Sequence, residues 1–264
     1  MSRGLRWRSA LAIGTMVLAA LAPSFTGAAS AAALGAHAEA GRAFDALRAA
    51  QPGRMPRLAE PEAGSVLRVL GDAPRFLDDV GYTPAELGVL SDLCDRDKAA
   101  ITAYISFGAV QPGGGIDAAV VVRNVLEFQD ELAVLQPFLA RCIARQVPVA
   151  EAMLRQMGER QASQLRLGGL KRSQASLLQL YAGVATCLAD TRFGPAYCSL
   201  LGLMAELAPV HARALPLASR TIAVRLLEPP QQLSAGPQRE AVQRIVEAMR
   251  DDRCIGLCLL GAAP

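Results

Sequence analysis

VVRNVLEFQDELAVLQPFLARC, Val121 to Cys142, is the best-patterned part of the chain. Val121, Val125, Phe128, Leu132, Leu135, Leu139 and Cys142 recur at spacings of 4, 3, 4, 3, 4 and 3. A helix places residues three and four apart on one face, so this spacing predicts an apolar seam held for three heptads. Arg123, Asn124, Glu127, Asp130 and Glu131 fall off the seam and are expected on a solvated face. Pro137 also falls off it and predicts a kink.

Before this helix, Thr83-Pro84-Ala85-Glu86 carries a start signal: a Thr cap, Pro at the first helical position and Glu three after the cap. Leu87, Leu90, Cys94, Ile101 and Tyr104 follow on one face. The charged knot Asp95-Arg96-Asp97 between them predicts a bend or break. Gln111-Pro112-Gly113-Gly114-Gly115 ends the element. Further helices are expected near 149–164, 173–189, 196–207, 216–227 and 237–252, punctuated by Gly and Pro pairs. Strand character is confined to a weak stretch at 221–226. Ala and Leu dominate while Ile, Thr and Tyr are scarce. The expected fold is therefore all-α: a single helical domain of antiparallel helices, from residue 65 to 264, stapled by disulfides.

Toward the N-terminus the character changes. Arg3, Arg6 and Arg8 precede the apolar run LAIGTMVLAALA, Leu11 to Ala22, and small residues follow it. Basic start, short apolar middle and small residues at the cut form the layout of an export signal. The run is shorter than the ~20 residues of a membrane-spanning helix. Residues 1–31 are therefore expected to be a signal peptide, cut near Ala31, with the mature protein periplasmic or secreted and without a stable membrane span. Residues 32–64 read as a flexible or strap-like segment with one short helical piece, 37–50. Pro52, Pro56 and Pro61 favour extended backbone and turns there.

The chain has 27 basic and 24 acidic residues, and the signal holds three of the bases, all Arg, and no acid. The mature chain is therefore neutral, which gives no electrostatic case for nucleic acid.

Six cysteines, Cys94, Cys142, Cys187, Cys198, Cys254 and Cys258, in an exported chain read as disulfides. Cys187 and Cys198 lie symmetrically about the turn ADTRFGPAY, so a hairpin of the flanking helices pairs them. A straight hairpin of the two earlier helices works against Cys94–Cys142. It sets position 94 opposite about 131, some ~16 Å from 142 at the helical rise, unless the chain breaks at Asp95–Asp97. Cys254 and Cys258 stand one turn apart and suit a local bridge. Their C-x-x-x-C spacing also suits a redox or copper site, with Met153, Met157 and His211 as further soft or imidazole donors, but nothing in the sequence brings these together.

Catalytic patterns are few. The chain has two histidines, His37 in the loosely held segment and His211 near an expected helix start. No nucleophile elbow, zinc helix or phosphate-loop signature occurs. Gly113-Gly114-Gly115 before a helix resembles an anion cradle but reads better as a turn, because Asp117 would repel an anion. Two functions follow. The first is a non-catalytic envelope protein that binds a partner protein or an apolar ligand, with no cofactor. The second is a periplasmic hydrolase or transferase whose site, built from residues such as His211 and Tyr181, forms only in three dimensions.

Overall fold

A computed structural model describes residues 26–78, 80–111, 113–156, 167–233 and 236–260. The helices are α1 (Thr26–Ala50), α2 (Pro61–Leu70), α3 (Leu87–Ile105), α4 (Ala118–Glu127), α5 (Gln129–Gln156), α6 (Leu167–Ala189), α7 (Pro195–Cys198), α8 (Leu200–Ala214), α9 (Leu217–Leu233), α10 (Gly236–Arg250) and α11 (Leu257–Leu260). Among the described residues the only extended pairing is one isolated bridge, Val110 with Ile116. The weak strand signal at 221–226 lies inside α9. None of the described helices is long and apolar enough to cross a membrane. Residues 1–25, the greater part of the expected signal, lie outside the described residues, and α1 runs through the expected cut at Ala31.

Helix α5 is the axis of the molecule: α2, α3, α4, α6, α7, α8 and α11 all pack on it. Its sequence explains this role. Leu132, Leu135, Phe138, Leu139, Ala140, Cys142 and Ile143 are all buried, too many directions for a helix with one wet face. α5 also runs through Pro137 and Pro148 without ending, so the separate helix expected from 149 is the second half of α5.

The patterned stretch is not one helix. It breaks at Phe128, between α4 and α5. Asn124, expected on the wet face, is buried and stitches the break. Its Nδ2 donates to the carbonyls of Ile105 at 3.0 Å and Phe107 at 2.7 Å, at the C-terminal end of α3, where helix carbonyls lack partners of their own. The break also answers the register problem. α3 is continuous through Asp95–Asp97, so the expected kink there does not occur. Instead α4 falls outside the pairing, and the end of α3 meets the start of α5. Ser91 then faces Gln146 across a 3.3 Å hydrogen bond, and the Tyr104 and Phe128 rings stand 5.2 Å apart. Cys94 and Cys142 are bonded, with Cα atoms 5.7 Å apart.

The other two bridges are Cys187–Cys198 and Cys254–Cys258, with Cα separations of 5.8 Å and 5.3 Å, both within the range a disulfide needs.

The 32–64 segment contributes to the core. Ala40, Phe44, Met55 and Ala63 are buried, and His37 is fully so. The boundary expected at residue 65 falls inside α2. Between α1 and α2 the chain crosses the α4–α5 break and is fastened to it. Tyr104 Oη donates to the Pro56 carbonyl at 2.7 Å. Arg57 donates to the Glu127 carbonyl at 2.9 Å and its carboxylate at 2.7 Å, and stacks 4.4 Å over the Phe128 ring. At the end of α2, a side chain on Gly71 would sit 2.5 Å from the Val134 carbonyl oxygen, so only glycine lets α2 approach α5 there.

Candidate functional site

His211 and Tyr181 do come together. Tyr181, on α6, and His211, on α8, are both fully buried. His211 Nε2 lies 3.0 Å from the Ala140 carbonyl oxygen, and Nδ1 lies 3.1 Å from the Tyr181 hydroxyl. A carbonyl only accepts, so Nε2 carries the proton and Nδ1 accepts from the tyrosine. Both ring nitrogens are spent. Burial holds the His211 pKa down at about 4 and drives the Tyr181 phenol well above its ordinary value. Glu206, the nearest acid in sequence, is exposed. The pair is a polar link between α5, α6 and α8, sealed in the core with no histidine nitrogen left for a substrate. His211 lies in the last turn of α8, not near a helix start, and Pro209 is inside that helix.

His37 repeats the pattern. Its Nε2 donates to the Leu70 carbonyl at 3.3 Å, supplying a partner at the C-terminus of α2, and Nδ1 accepts from Arg96 at 2.9 Å. The ring stacks on Phe138 and meets the edge of Phe76. Burial first, then the Arg96 charge, lowers its pKa to about 4. The sequence set His37 in a loose stretch because nothing local reveals that α1 packs under α2.

Asp97 is the buried acid that the sequence misplaced. It lies on the apolar seam of α3, is fully buried, and neither carboxylate oxygen has a hydrogen-bond partner. Burial raises its pKa well above the ordinary carboxylate range, because the charged form loses its hydration there. The position 97, three after Cys94 and four before Ile101, carried this signal, but the neighbouring charges masked it.

The triglycine is a turn. Gly114 has φ +80°, the Gln111 amide donates to the Gly115 carbonyl and the Gly114 amide to the Gln111 carbonyl, each at 2.9 Å, and Asp117 caps α4 by accepting from the amides of Ala119 and Val120. The amides of Gly114, Ala119 and Val120 are thereby already bonded. Among the described residues no three His, Cys, Asp or Glu side chains form a group suited to a metal ion. His211 has no free nitrogen, the cysteines are in disulfides, and Met157 lies outside the described residues.

Among the described residues a groove of about 720 Å³ lies beside the α4–α5 break. The crossing chain supplies Arg57, Leu58 and Ala59, the start of α5 supplies Asp130, Glu131, Ala133 and Val134, and α7 with the residue after it supplies Ala196 and Ser199. Glu131, expected on a wet face, is buried. Its Oε1 accepts from the Leu58 amide at 2.8 Å, while Oε2 has no hydrogen bond and stands 3.7 Å from the Arg57 guanidinium. The sequence offered no sign of this groove, because its walls come from three distant parts of the chain. No protein family matches the chain, and no curated protein or solved structure is significantly similar to it.

Proposed function

We propose that this is an exported, periplasmic or secreted, protein whose bundle of antiparallel helices binds a partner protein or an apolar ligand in the groove beside the α4–α5 break. Export is supported by the basic, apolar and small-residue layout of residues 1–31 and by three disulfides, which persist in oxidising compartments. The antiparallel arrangement is supported by the pairing of 91 with 146, 94 with 142 and 104 with 128, in which one number rises as the other falls. The observation that carries the binding reading is the groove itself: Leu58, Ala59, Ala133, Val134 and Ala196 give apolar walls, and Arg57, Asp130 and Glu131 add charged groups to its lining. Sites of this kind hold ligands by apolar contact and orient them by a few polar groups. The hydrolase or transferase alternative loses its support, since His211 and Tyr181 are sealed and spend their polar atoms on each other and on Ala140.

The test uses Ala196, exposed on the rim of the groove. Ala196→Trp should fill the groove and leave the core alone. Binding of envelope proteins and of a panel of apolar small molecules to the mature chain should fall at least about tenfold, a ~1.4 kcal/mol effect, with an unchanged melting temperature. Equal binding by the variant would refute the groove as the site.

A further inference from the structure

We infer that Cys254 and Cys258 form a thiol–disulfide exchange site that reacts with a cysteine pair on another polypeptide. This activity is separate from the groove and does not depend on it.

This bond adds little to the hold on the fold. Cys94–Cys142 joins α3 to α5 across 48 residues, and Cys187–Cys198 joins α6 to α7 across 11. Cys254–Cys258 spans four, and a loop that short removes the least chain entropy on closure. The chain is also anchored on both sides of it without the bond. On one side Arg220, itself buried, donates to the carbonyls of Asp251 at 2.6 Å and Arg253 at 3.0 Å. On the other, Leu257 and Cys258 are buried, and α11 packs on α5 and α8. Opening the bond leaves both cysteines held near each other by these contacts. As a staple the bond is redundant.

Its two sulfurs are unequal in the way exchange requires. Cys254 is half-buried in a non-helical stretch, whereas Cys258 is fully buried. An incoming thiolate therefore reaches Cys254 and not its partner. Gly256 turns the chain between them at φ +61°. The surroundings suit a polypeptide: Ile255 is 70% and Leu259 59% exposed, and Ile255 is the most exposed of the large hydrophobic side chains described. Apolar side chains left in water beside a reachable disulfide form a contact surface for an apolar segment. The Arg213–Glu151 ion pair borders Gly256.

The chemistry balances with the two cysteines of the substrate alone. One substrate thiol loses its proton, and the thiolate attacks Sγ of Cys254. The bond to Cys258 breaks, Cys258 leaves as a thiolate and takes up the proton, and a mixed disulfide joins the substrate to Cys254. The second substrate thiolate attacks the substrate sulfur of that mixed disulfide and releases Cys254, which is protonated in turn. Two electrons and two protons pass from the substrate dithiol to the protein pair. The reverse sequence reduces a substrate disulfide.

The experiment titrates the mature chain with mixtures of reduced and oxidised dithiothreitol and maps free thiols by alkylation and mass spectrometry. Cys254 and Cys258 should open together at a reduced-to-oxidised ratio about tenfold below that needed for either other bridge, with the far-ultraviolet helix signal intact. Cys258→Ser should form a mixed disulfide with a disulfide-bonded peptide carrying apolar residues beside its cysteines. Cys254→Ser should form it at least about tenfold more slowly. Leu259→Asp should slow the reaction with that peptide and leave the rate with dithiothreitol unchanged. Simultaneous opening of all three bridges, loss of helix when this one opens, equal reactivity of the two serine variants, or a Leu259→Asp chain that reacts with the peptide at the parent rate would each overturn the inference.

Discussion

Acidification from pH 7 to pH 4 should destabilise this protein by way of its two histidines. His37 and His211 are fully buried, and each has a folded pKa of about 4 against an ordinary 6.5. The unfolded chain takes up a proton at each below pH 6.5, and the folded chain does so only near pH 4. Their contribution is therefore complete above pH 6.5 and is lost as the pH falls through that window. Each pH unit costs about 1.4 kcal/mol per histidine, so the loss over the window is about 3 kcal/mol each. Asp97 acts in the opposite direction. Its folded pKa is raised, so above pH ~4 the folded state holds a proton that the unfolded state has released. Above pH ~4 Asp97 therefore opposes the histidines and makes the acid fall shallower. Urea unfolding at half-unit intervals from pH 4.5 to 8 measures the curve. In Asp97→Asn the fall between pH 6.5 and 4.5 should steepen toward the ~2.7 kcal/mol per unit of two histidines. A curve that is flat between pH 4.5 and 6.5, in the parent and in Asp97→Asn alike, would show that the histidines are not held neutral by burial.

Asp97→Ala should raise stability at pH 7 by about 1–3 kcal/mol, because it removes an unpaired carboxyl from the core without adding volume; a lower urea midpoint would reveal a partner for that acid. Leu132→Asp places a charge where a fully buried side chain stood and should cost more than about 4 kcal/mol. Glu131→Ala should cost only about 1–3 kcal/mol, from the Leu58 amide left without its acceptor, and should speed tryptic cleavage at Arg57. A Glu131→Ala chain as resistant as the parent would show that this bond does not fasten the crossing segment. Non-reducing peptide mapping should find Cys187 joined to Cys198 after cleavage at Arg192. The first residue of the mature chain should lie within a few positions of Ala32, and its spectrum should lack tryptophan, since Trp7 is the only one.

The helical class, the seam from Phe128 to Cys142, the turn at Gly113–Gly115 and the bridge between Cys187 and Cys198 are legible in the residues alone. Each rests on residues close in the chain, where the helical period and turn chemistry act directly. The point at which the patterned helix breaks is not legible there. The cause is Asn124 reaching the carbonyls of α3 and Arg57 reaching Glu127, bonds that no local pattern records. The same holds for burial of charge. Asp97 and Glu131 stand among acids that are exposed, Asp95 and Asp130 beside them, and composition alone makes all four look wet. Which of them is enclosed depends on the elements that pack above, the crossing segment 51–60 in the case of Glu131. His211 and Tyr181 show the limit most plainly. Their types suggested chemistry, and the sequence could not show that the third partner is the carbonyl of Ala140, 71 residues away. That bond fixes the tautomer, spends the last nitrogen, and makes the pair part of the core.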